Sequence, residues 1–226
     1  MSLPTSSRPL VAGVVSNAQT WRALMLEPPV CDVVELRVDA LPKDERLLPL
    51  ERPCPKPLLL TLRHESEGGA YAWEEAERLT LAERLLPAAA MLDWEIAFLP
   101  GAEALLRAAH AHDVAVVASA HFFHSTPSLE EMLELEARAR LAGADVVKIA
   151  FTPSSEEDLD TGSAFLKASS LPAAVMGMGP HYGPISRRRY AEEGSLLLYG
   201  YLGGVPSAPG QLSAAECCEL TAALRR

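Results

Sequence analysis

The chain has 226 residues, with 20 Lys and Arg against 30 Asp and Glu, a formal charge of −10. That balance argues against a general binder of nucleic acid or anionic membranes, which needs a net basic surface. Hydrophobic residues are 49% and charged residues 22%, so disorder is excluded, and one core of this size buries roughly 70% of the unfolded chain's surface without staples.

The N-terminal stretch MSLPTSSRPLV has no apolar core, so no signal peptide is expected. From there, short apolar, β-branched runs read as strands at 9–15, 32–38, 57–63, 90–96, 113–119, 145–150, 172–178 and 195–201. Stretches of helical period fall between them, at 18–27, 42–50, 73–89, 101–111, 128–142, 154–169, 184–193 and 213–225. Most of the strands are continuously apolar rather than alternating, as parallel strands covered on both faces are. The helix around PKDERLLPLE is short and poor. Ser128 and Glu131 form a capping box, with Gly143 closing the same helix, and Ser154 with Glu157 repeats the device. The uncharged run from Gly194 to Ala215 is long enough to span a bilayer, but it holds five glycines and two prolines and reads as strand and loop. Cys31, Cys54, Cys217 and Cys218 form no CxxC pair or disulfide framework, which suits reduced thiols in a cytoplasm.

Eight strands alternating with eight helices predict a single compact (β/α)8 TIM barrel over residues 1–226. The rival, an open doubly wound sheet, wants a glycine-rich phosphate loop after its first strand, where this chain reads SNAQTW.

In a barrel the chemistry sits at the C-terminal strand ends. Glu35, Arg37, Asp39, Arg63, Glu67, Asp93, Glu95, Ser119, His121, Lys148 and Arg187 all fall at or near such ends. Lys148 interrupts the apolar run VVKIA, and reads either as an edge-strand or snorkelling lysine or, in a closed barrel, as a buried functional amine. A buried amine beside other cations sheds its proton readily and is then free to attack a ketone. His121, on the preceding strand, reads either as a hydrogen-bonded structural residue or, beside such a lysine, as a proton carrier suited to neutral pH. Arg37, Arg63 and Arg187 around one mouth suggest a local well for a carboxylate or phosphate, although Glu35, Asp39 and Glu67 are possible salt-bridge partners. The SAPGQ loop, with Ser207 and Gln211, reads either as a connector or as a lid over substrate. His121 and His124 lack a third ligand at metal spacing, so no metal is expected. Trp21, Trp73 and Trp94 read as packing residues.

Seven segments then carry a family resemblance: ELRVD (35–39), TLRHESEGG (61–69), LDWE (92–95), ASAHFF (118–123), VVKIAFTP (146–153), MGPHYGPISR (178–187) and SAPGQ (207–211). In this order the chain resembles the type I 3-dehydroquinate dehydratases, Schiff-base-forming hydro-lyases of the shikimate pathway. The resemblance implies a barrel, often dimeric, that dehydrates 3-dehydroquinate without cofactor. It implies Lys148 as the iminium-forming amine, His121 as acid and base, Glu67 as its tuner, and Arg187 as the carboxylate clamp. Glu35, Arg37, Arg63, Ser207 and Gln211 would bind substrate and order the site. The chain departs from the family at Phe122, where an Asp or Asn usually follows the histidine. The hydrogen bond this removes is then lost, or supplied by His124 or Glu67. Two other readings are weaker on the sequence. A class I aldolase would need a clear phosphate-binding helix start near the last strands. A barrel without catalysis would rest on Phe122 alone.

Overall fold

The structure is a computed structural model that describes residues 8–204 and 211–224. Its strands are β1 (Leu10–Val15), β2 (Val33–Arg37), β3 (Leu58–Thr61), β4 (Met91–Glu95), β5 (Ala115–Phe122), β6 (Val146–Phe151), β7 (Ala173–Gly177) and β8 (Leu197–Tyr201). Each is followed by a helix: α1 (Ala18–Leu24), α2 (Leu48–Glu51), α3 (Glu75–Leu85), α4 (Glu103–Ala111), α5 (Leu129–Leu141), α6 (Glu156–Ala168), α7 (Tyr182–Glu192) and α8 (Ala214–Ala223).

The strands pair in parallel in the order β7-β6-β5-β4-β3-β2-β1-β8. The ends of that order meet. Leu196 N–H donates to the Ala173 carbonyl at 2.8 Å, and Val175 N–H donates to Ser195 Oγ at 3.0 Å. The sheet is thus a nearly closed (β/α)8 barrel, as the alternation of elements predicts.

Period-two alternation sorts the strand residues onto two buried faces. Leu10, Ala12, Val14, Val33, Leu59, Met91, Val117, Val146 and Leu197 form one apolar cluster inside the barrel. Val34, Leu36, Leu60, Leu92, Trp94, Val116, Val147 and Ile149 belong to the other, between strands and helices. Both faces are buried, which is why the strands read as continuously apolar. Inside, the apolar residues near the strand starts give way to Glu35, Thr61, Asp93, Ser119 and Lys148 farther along, all buried.

Helix boundaries follow their caps. The Ser128–Glu131 capping box is formed, and Gly143 takes the left-handed conformation at φ 87°. The cap expected at Ser154 lies one residue later. Ser155 accepts from Asp158 N–H, while Ser154 instead binds the Asp158 carboxylate, because Asp158 offers the shorter acidic partner. A second capping box, Ser213 with Glu216, opens α8. The weak second helix is a 3₁₀ turn, Lys43–Glu45, followed by the four-residue α2. Trp21, Trp73 and Trp94 are buried, in agreement with their reading as packing residues. No described helix is long and apolar enough to cross a membrane.

Candidate active site

Lys148 comes from the middle of β6 and is 4% exposed. Its Nζ donates to Asp93 Oδ2 at 2.8 Å and lies 3.5 Å from Glu35 Oε1. It also stands over the Tyr199 ring, 4.3 Å from the centroid. The cations expected beside this lysine are therefore one carboxylate away. Arg63 takes the other Asp93 oxygen at 2.9 Å, and also reaches Glu95 at 3.0 Å and Ser119 Oγ at 2.7 Å. Ser119 Oγ donates to Asp93 Oδ1 at 2.6 Å, and Thr61 Oγ1 to Glu35 Oε1 at 2.9 Å. Burial by itself would raise the Asp93 carboxyl. Arg63 and Lys148 outweigh it and hold that group well below the usual carboxylate range.

His121 lies near the end of β5. Ser119 pairs with Lys148 in the β5–β6 ladder and His121 pairs with Ala150, so the imidazole stands one inward step above the amine. Its Nδ1 is 2.9 Å from Glu67 Oε2, and the same oxygen accepts its backbone N–H at 3.0 Å. Burial, with Arg63 and Lys148 adding to it, pushes the His121 imidazole well below its ordinary value, so the ring is neutral at pH 7. Burial likewise pushes the Glu67 carboxyl up to about 7. An ionised Glu67 accepts from Nδ1–H and leaves the lone pair of Nε2 free as a base.

Glu67 reaches the histidine because its loop is tightly folded. The 3₁₀ turn Glu65–Glu67 ends at Gly68 in the left-handed region, φ 81°. A Cβ at the next residue, Gly69, would sit 2.2 Å from the Arg63 carbonyl oxygen, so only glycine fits. Asp39 ties this loop down through Arg63 N–H and Ala70 N–H at 3.2 and 3.0 Å.

Arg37 pairs with Asp39 through two bonds of 3.0 and 2.8 Å and donates to the Gly68 carbonyl at 3.1 Å. Arg187, from α7, is buried and donates to the carbonyls of Tyr199 and Gly183 at 3.2 and 2.9 Å. No described acidic side chain pairs with it, and burial lowers its pKa. Gln211 is half-buried. Its neighbour Leu212 accepts from Tyr201 N–H at 3.0 Å, which lays this segment along the end of β8. Ser207 lies outside the described residues. The structure thus brings Lys148, Glu35, Arg63, His121 and Glu67 to one barrel mouth. Among the described residues no group of three His, Cys, Asp or Glu is placed to hold a metal ion.

The type I 3-dehydroquinase family model matches residues 15–225. The chain belongs to this family, a family of hydro-lyases. Over 208 residues it is 33% identical to the 3-dehydroquinate dehydratase of Methanothrix thermoacetophila, covering 92% of this chain and 88% of that one. It is also 33% identical over 219 residues to the catabolic 3-dehydroquinate dehydratase of Acinetobacter baylyi, covering 90% and 80%. Among solved structures, the 3-dehydroquinate dehydratase of Geobacillus kaustophilus superposes with a TM-score of 0.86 at 26% identity, covering 97% of this chain and 92% of that one. The type I enzyme of Clostridium difficile, solved with covalently modified comenic acid, superposes at 0.84 and 27% identity over 97% and 93%.

The hydrogen bond that Phe122 cannot make to the histidine comes from Glu67. Glu67 holds both the ring and the backbone of His121, while His124 is exposed. Asp93 appears in the sequence as one more strand-end acid. Its place between Lys148 and Arg63 follows from register across three strands. Met91, Asp93 and Glu95 share the inward face of β4, a period-two signal visible in MLDWE. Tyr199, under the lysine, has no such polar signal.

Proposed function

We propose that the protein dehydrates 3-dehydroquinate to 3-dehydroshikimate through a Schiff base on Lys148. The observation that carries this reading is the amine of Lys148, buried inside the barrel, with neutral His121 one inward step above it. Neutral His121 takes a proton from the Lys148 ammonium, the amine attacks the substrate ketone, and His121 returns that proton to the departing hydroxyl, so that one water leaves as the iminium forms. The iminium draws electrons from the neighbouring C–H, whose proton passes to Nε2 of His121, and an enamine results. The enamine expels the β-hydroxyl, which leaves as water with the proton His121 carries. One water then hydrolyses the conjugated iminium, releasing product and restoring the amine. The net change is loss of one water.

The remaining residues bind and order. Glu67 fixes the His121 tautomer. Arg187, buried without an acidic partner, clamps the substrate carboxylate as a guanidinium does. Glu35, Arg37, Arg63, Ser207 and Gln211 hold hydroxyl groups and arrange the mouth. The protein works without cofactor, as a single-domain cytoplasmic homodimer in the shikimate pathway. Its family membership supports these assignments.

Turnover of 3-dehydroquinate, followed by the ultraviolet absorbance of the conjugated enone, tests the reading. The wild type forms product, and Lys148→Ala lowers kcat by at least about 10⁴-fold. Near-normal turnover by the variant would overturn the mechanism.

A further inference from the structure

Away from the mouth, a cavity of about 500 Å³ lies between the segment around α2 and α3. Lys43, Arg46 and Arg84 line it together with the apolar Leu47, Ala76 and Leu81. The acidic side chain of the wall, Glu77, already faces Lys43 at 3.2 Å. The hydroxyl of Thr80 is occupied by the Ala76 carbonyl at 2.7 Å.

Arg46 is the unusual member. It is only 3% exposed, and its Nε and Nη1 are buried with no hydrogen-bond partner. Its guanidinium lies 3.9 Å from the Tyr71 ring centroid and 4.6 Å from that of Trp73. Those rings stand on one side of it, with their centroids 4.7 Å apart, and Nε and Nη1 are left unsatisfied. A guanidinium cannot shed its charge, so its burial without a counter-anion costs free energy, which an anion held nearby in the cavity would offset through its field, although Nε and Nη1 themselves are sealed from solvent. Arg84, on the exposed rim, has no ion pair among the described residues either. Three cations thus face one acid in a chain that is acidic overall, and three of the eight lining residues are apolar.

We infer that this cavity binds an organic monocarboxylate with an apolar body. The carboxylate lies toward Arg46 and Arg84, and the body lies on Leu47, Ala76 and Leu81. A polyhydroxylated acid such as the proposed substrate would press unpaired hydroxyls against that apolar wall, so it fits poorly. The volume is within the usual range of small-molecule sites. Its lining shares no residue with the mouth, although Trp73, which packs on Arg46, donates to the Arg63 carbonyl at 3.0 Å.

Titration calorimetry of the full chain with 3-phenylpropionate tests this, with neutral 3-phenylpropanamide as the control. The expected result is saturable one-to-one binding, with the amide at least about tenfold weaker. Arg84→Ala and Arg46→Met each weaken the carboxylate about tenfold, and Arg187→Ala leaves it unchanged. Arg46→Met tests the buried charge and risks the fold, whereas Arg84 is exposed and its variant carries the test alone. Lack of saturation, equal affinity for the amide, or full affinity in Arg84→Ala would overturn the inference. Loss of binding in Arg187→Ala would do so as well, by placing the carboxylate at the barrel mouth.

Discussion

In the proposed mechanism His121 and Glu67 share one proton-handling task, and their burial sets its pH dependence. The imidazole is neutral at pH 7, while the Glu67 carboxyl titrates near 7. Above that pH the carboxylate accepts Nδ1–H and keeps Nε2 free. Below it, protonation of Glu67 weakens the hold on that tautomer. Activity therefore rises with pH through an apparent pKa near 7. Glu67→Gln lowers kcat about 10- to 100-fold and flattens that limb. A pH–rate profile checks this, and an unchanged acid limb in the variant would assign it to another group. At this scale the sequence was informative about Lys148, because a charge within an apolar strand run stands out. It was silent on Arg46, which lies in a short helical segment of mixed polarity and is buried only because Tyr71 and Trp73 fold over it.

At the scale of elements, the strands were legible because burial on both faces leaves long apolar runs. The caps were legible to within one residue. Ser154 and Ser155 are equivalent in sequence, and only the position of Asp158 chooses between them. The loop after β3 was legible through its glycines and the family resemblance, but its fold depends on distant partners such as Asp39. Gly69→Ala probes it. The new Cβ would meet the Arg63 carbonyl oxygen at 2.2 Å, so the segment carrying Glu67 must move. Kinetics and thermal unfolding should show kcat reduced about tenfold and a stability loss of about 2 kcal/mol. A variant with wild-type kcat would mean that the loop adapts without displacing Glu67.

At the scale of the molecule, residues from β2 through β6 converge on one buried charge network, and Asp93 is its hub. It neutralises Lys148 and Arg63 from β6 and the end of β3. No single strand displays that role, since it needs the register of neighbouring strands. Asp93→Asn keeps the shape and leaves two buried cations short of charge, costing about 3 kcal/mol in denaturant unfolding at pH 7. The pH dependence has a definite sign. The folded Asp93 pKa is depressed, so its contribution is present above the unfolded value of about 3.9 and is lost as pH falls toward the folded one. The variant lacks that part of the acid limb. Equal stability of the two proteins at pH 7 would show that the network relaxes around the amide.

The central claim is a covalent imine on one named lysine. Borohydride reduction in the presence of 3-dehydroquinate, read by intact mass and peptide mapping, tests it most directly. One irreversible adduct per chain on Lys148, absent without substrate, is the predicted result. Folded protein that turns over substrate yet yields no adduct, or an adduct on another lysine, would contradict it.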